Sequence, residues 1–172
     1  MAEPFLSESS NIIALGSLMV SILAVVYARR SVQQAHKANK INLHVHQKDL
    51  FVGFMNLCAH LREQDRFAKW EEIEKFNPLA RSAPLYIRES LANQIEEYFG
   101  ACCVIAGRRM EIEMENEYVR EYYKANPQKT LVPKNAFGDR QKLIQEQRKN
   151  LEIIDKLGPL IEAELMKELK LV

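Results

Sequence analysis

The sequence predicts an all-α protein: an N-terminal transmembrane helix continuing into a helical stalk, then a cytoplasmic antiparallel helical bundle of about four helices. Three observations carry this. Ser9 to Ala28, SSNIIALGSLMVSILAVVYA, holds no charge and no proline, over a length close to the ~20 residues that cross a ~30 Å hydrocarbon core. Beyond it, apolar residues recur at intervals of three and four, the stripe of core-facing helices. The only alternating run, MEIEMENE (110–117), has no evident partner strand, and an isolated strand is not stable.

Residues 1–8 read as a short acidic external tail and 9–28 as the span. A cleavable secretory signal would begin with positive charge and carry a shorter apolar core; here the front is acidic and the span is followed by Arg29 and Arg30. An uncleaved signal-anchor is therefore expected. Arg29, Arg30, Lys37, Lys40 and Lys48 all lie behind the span with no acid among them, while Glu3 and Glu8 lie in front. Basic residues accumulate on the cytoplasmic side, so the expected topology is N-terminus outside, C-terminal domain in the cytoplasm of the inner membrane. Gly16, Val20, Ala24 and Ala28 fall at intervals of four and make one narrow face suited to helix–helix packing.

Residues 29–47 form a basic juxtamembrane stalk without Gly or Pro. Arg29, Arg30, Lys37 and Lys40 set the topology and meet lipid headgroups, each worth roughly 1 kcal/mol near an anionic surface. His36, His44 and His46 do not make a metal site. On a helix His44 and His46 point about 200° apart, and His36 and His44 are separated by about 12 Å of rise.

Residues 48–172 read as the bundle. Leu50, Phe51, Phe54, Leu57, Cys58 and Leu61 form its first stripe, and Asn77-Pro78 is expected to stop that helix, because the residue before proline is pushed out of the helical region. NPLARSAP (77–84) reads as a loop, Pro84 as the opening of the next helix with Ser82 as its cap. Trp70 is the candidate partner contact, although core-edge packing explains it as well. Leu85, Leu91, Ile95, Phe99, Cys102 and Ala106 line the next face, and the uncharged run 98–107 is too short to span a bilayer, so it belongs in the core. Gly100 is expected to admit a neighbouring helix, Gly107 to end this one, and a further helix to start near Glu111 and stop at Asn126-Pro127. After a loop at 128–139 with Asp139 as a cap, Leu143, Ile144, Leu151, Ile154 and Leu157 face the core. Gly158-Pro159 is expected to interrupt that helix, and Leu160, Ile161, Leu165 and Leu169 to dock a short closing one. Three cysteines, Cys58 and the adjacent Cys102 and Cys103, are an odd set within apolar runs and read as reduced core thiols.

The layout resembles a loose class of uncharacterised bacterial single-span membrane proteins: Ala28-Arg29-Arg30 closing the span, a stalk, then Leu91, Asn93 and Glu96 ahead of a buried run ending at Gly107. The resemblance implies an anchored cytoplasmic helical domain and no activity.

A net charge of +1 gives no global nucleic-acid signal. The chain contains no Gly-rich phosphate loop, no Gly-x-Ser-x-Gly, no His-Glu-x-x-His and no Cys-x-x-Cys, so neither an enzyme, a metal site nor a cofactor is expected. The partners expected are the bilayer and another protein or a second copy, making the chain a scaffold, accessory subunit or tethered effector. The alternative is a membrane effector whose oligomerised spans permeabilise the bilayer, as in phage-exclusion or defence proteins.

Overall fold

The fold was described from a computed structural model covering residues 4–128 and 140–170, with side chains from residue 15 onward. Among the described residues all regular structure is helical. Five helices follow one another: α1 (Pro4–Gln64), α2 (Trp70–Glu74), α3 (Asn77–Ser82), α4 (Glu89–Ala125) and α5 (Arg140–Lys170). The chain divides into two compact units, Met1–Leu43 and His44–Val172.

In the first unit every described residue from Leu15 to Asn42 is exposed. This includes the large apolar side chains of Leu15, Leu18, Met19, Ile22, Leu23 and Val25. The helix is long and apolar enough to cross a membrane, and none of that surface is buried by the described residues.

In the second unit the first predicted stripe is buried as expected. Leu50, Phe54, Leu57, Cys58 and Leu61 pack with Ile73 and Phe76, with Leu91, Ile95, Tyr98, Cys102 and Ile105 of α4, and with Ile154, Ile161 and Leu165 of α5. Its direction differs from the antiparallel expectation. Gln47 bonds to Tyr86, Cys58 to Tyr98, and Phe67 to Arg109, so the end of α1 and α4 run the same way. Helix α5 runs opposite to α4: Asn116 meets Arg140, Arg108 meets Glu146, and Arg88 meets Glu164 and Glu168. Parallel neighbours need a returning connection, and residues 65–88 supply it.

That return revises the reading of 77–84. Asn77-Pro78 starts α3 rather than stopping a helix, with Pro78 in its first turn, where a missing N–H costs nothing. Ser82 caps no following helix; its hydroxyl donates to the Leu79 carbonyl at 3.2 Å. Pro84 lies in a 3-10 turn, Leu85 is 75% exposed, and α4 begins only at Glu89. The close approach sits at Gly53, not Gly100. A Cβ on Gly53 would stand 2.3 Å from Leu79 Cδ1 and 3.3 Å from Phe76, whereas one on Gly100 or Gly107 would meet nothing.

Two predicted breaks are absent. Gly107 does not end its helix, and the start near Glu111 lies inside α4, because no described glycine takes a positive φ and Arg108 ties the next turn to α5. Likewise α5 passes through Gly158-Pro159. An interior proline costs about 3 kcal/mol, but burial of Leu157 and Ile161 on either side holds the helix together. Asn126 does end α4, its side-chain amide donating to the Tyr122 carbonyl at 3.0 Å. The cap expected at Asp139 and its loop fall outside the described residues, apart from Gln128.

Candidate functional site

The span and stalk residues singled out above stay open to solvent. Gly16, Val20, Ala24 and Ala28 are exposed, and a Cβ on Gly16 would meet nothing within 4 Å. Arg29, Arg30, Lys37 and Lys40 are exposed and form no ion pair among the described residues. Ser21 donates to the Ser17 carbonyl one turn back at 2.8 Å, so its hydroxyl is satisfied on its own helix. Trp70 opens α2 at 38% exposure. It lies outside the buried core.

At the centre of the body stands Tyr98, the first residue of the run 98–107 expected in the core, whose pairing with Cys58 the sequence did not indicate. It is among the largest fully buried side chains. Its hydroxyl lies 3.3 Å from Cys58 Sγ, its ring tilts against Phe54 at 5.0 Å, and Gly158 leaves room for its edge. Burial pushes both the Tyr98 hydroxyl and the Cys58 thiol above their ordinary values. Cys102 is also buried and raised by desolvation, and all three thiols are free. These are inert core groups, since reactivity requires the thiolate.

Around this core run ion pairs that fix the helix register. Arg88 holds Glu164 and Glu168 on α5, and hydrogen bonds from Lys167 and then Arg88 keep the Glu164 carboxyl below its usual value. Arg108 joins Glu111 at 2.6 Å and Glu146 at 2.7 Å. Among the described residues no three His, Cys, Asp or Glu side chains gather as a metal site.

Two exposed surfaces stand out among the described residues. Met110, Met114 and Tyr118 are exposed at intervals of four along one face of α4, beside Glu111, Glu113 and Glu117. The second surface is a cleft of about 290 Å³ where the turn at 65–67 meets α4 and α5, lined by Arg66, Phe67, Arg109, Ile112, Glu113, Asn116, Arg140, Ile144 and Gln147. Gln147 was also missed: a polar residue on a predicted core face, it is only 3% exposed. Its amide donates to the carbonyls of Ile105 at 3.1 Å and Arg66 at 3.4 Å. The signal was available in the spacing, because Gln147 lies four residues after Leu143 and four before Leu151.

No protein-family model, curated protein or solved structure matches this chain.

Proposed function

We propose that this chain is a single-pass membrane protein whose helical body faces the cytoplasm and acts by binding another protein or a second copy of itself. The observation that carries this reading is the wholly exposed apolar surface from Leu15 to Val26. A core helix of a water-soluble protein would bury such a surface, whereas hydrocarbon accommodates it directly. The basic run behind the span favours the N-out, C-in orientation. The Met110, Met114 and Tyr118 face supports an interaction role, since Met and Tyr are enriched where proteins meet. The body would then be a scaffold, accessory subunit or tethered effector rather than an enzyme.

The test is crosslinking of the full-length protein in native membranes, followed by mild extraction and mass spectrometry, with a reporter fused at each terminus. Recovery in the membrane fraction after alkaline washing, a cytoplasmic C-terminal reporter and a discrete crosslinked partner or oligomer are expected. A monomer extracted without any partner would contradict the interaction role. The alternative, pore formation by oligomerised spans, predicts dye uptake on overexpression. The self-satisfied Ser21 hydroxyl gives it little support, because a water-filled pore needs polar groups facing its lumen.

A further inference from the structure

The cleft between the 65–67 turn, α4 and α5 is lined by more basic than acidic side chains. Three guanidinium groups line it with one carboxylate, Glu113, which Arg109 already holds at 2.8 Å. Arg109 also donates to the Phe67 carbonyl, a neutral acceptor. Arg140 reaches only the amide oxygen of Asn116, at 3.2 Å. Arg66 lies over the Phe67 ring at 5.0 Å, and no carboxylate pairs with it or with Arg140 among the described residues. Among the described residues, two positive charges therefore stand in one lining without a carboxylate partner. By contrast, Arg88 and Arg108 each meet two carboxylates.

The lining is also held in place. The buried Gln147 amide pins the Arg66 carbonyl and Arg109 pins that of Phe67, so the turn that presents these two side chains is fixed from both α4 and α5. That turn is entered through Asp65 at φ 51°, an uncommon conformation for a residue other than glycine. Phe67 remains 54% exposed beside Ile112 and Ile144. The cleft thus combines a doubly cationic rim with an aromatic and aliphatic wall, at the small end of ligand-site volumes.

We infer that this cleft binds a phosphorylated small molecule or headgroup carried on an apolar or aromatic body. The phosphate would sit on Arg66 and Arg140, and the body against Phe67, Ile112 and Ile144. A phosphate dianion matches two free guanidinium charges, where a carboxylate matches one, and the planar fork of each arginine suits phosphate oxygens. This site is independent of the protein-binding role proposed above.

The experiment is calorimetric titration of the full-length protein in detergent micelles with AMP and with inorganic phosphate. A third arm measures binding of the protein to vesicles of phosphatidylcholine with and without phosphatidic acid. AMP is expected to bind with Kd below about 1 mM, and more tightly than phosphate alone. The R66A/R140A variant should weaken binding by tenfold or more. Phe67→Ala should weaken AMP while leaving phosphate unchanged. Preference for phosphatidic acid vesicles that disappears in R66A/R140A assigns the headgroup to lipid, and controls for the separate basic run at 29–48. If the double alanine variant loses its helical circular dichroism, R66Q/R140Q takes its place. Absence of saturable binding in all three arms up to about 10 mM, or binding unchanged by the double variant, overturns the inference.

Discussion

The Tyr98 hydroxyl and the Cys58 thiol lie 3.3 Å apart inside the body, joining α4 to α1 across a sequence separation of 40 residues. Each is the other's hydrogen-bonding partner, in a cavity also lined by Arg62, Asp65 and Asp155. Tyr98→Phe should therefore cost about 1 kcal/mol through the lost hydrogen bond. Tyr98→Ala should cost about 3–5 kcal/mol, because it opens a cavity between three helices. Urea denaturation of the purified protein in micelles, followed by circular dichroism, separates the two.

The buried thiols predict alkaline sensitivity. Burial raises the folded-state values of Cys58, Cys102 and Cys103. In the unfolded chain these thiols ionise near pH 8.5, so above that pH the unfolded state binds fewer protons than the folded state. Stability is complete below about pH 8.5 and declines as pH rises towards the folded values. The urea midpoint should fall between about pH 8 and pH 10, and Cys102→Ala should flatten that fall more than Cys103→Ala does, since Cys103 is only half-buried.

Glycines on the same fold should respond in opposite directions. Gly53→Ala places a Cβ 2.3 Å from the end of Leu79 and 3.3 Å from Phe76. Leu79 can swing aside, yet the rigid Phe76 ring cannot, so a loss of about 1–3 kcal/mol is expected. Gly107→Ala meets nothing within 4 Å inside a continuous helix and should gain up to about 1 kcal/mol. Paired thermal melts give the sign of each.

Asp65 carries the one positive φ among the described non-glycine residues, at 51°. Asp65→Gly should hold or raise stability, while Asp65→Val should lose about 1–3 kcal/mol, since a β-branched side chain is strained there. If both variants melt alike, the backbone at this turn is not what limits its stability.

Much of the architecture was legible in the chain. The helical class, the exposed apolar segment and the stripes at Leu50 to Leu61 and Leu91 to Ala106 follow from periodicity and composition, because a core face must repeat with the helix. The end of α4 at Asn126 was legible for a local reason: its amide and the following proline both act within one turn. Gly107, Asn77-Pro78 and Gly158-Pro159 looked equally local and were not. At Gly158-Pro159, burial of the neighbouring turns offsets a penalty of about 3 kcal/mol, and at Gly107 the helix continues at a cost of about 1 kcal/mol. Pro78 sits in a first turn, where it costs nothing, a choice of helix end that single-residue preference cannot register.

The sequence by itself determined that this protein is helical, that residues 9–28 are apolar enough to span a bilayer, and most of the buried stripes of the body, though Leu85 and Leu160, expected on them, are exposed. Only the tertiary structure decided that the end of α1 and α4 run parallel, that 65–88 forms the return between them, and that Tyr98 and Cys58 meet. It also decided that Arg66, Arg109 and Arg140 line one cleft. The reason is physical: periodicity fixes what a helix must bury, whereas direction and neighbours depend on contacts between residues far apart in the chain. An apolar helix that finds no such neighbour among the described residues, as from Leu15 to Val26, is the case where the chain alone says most.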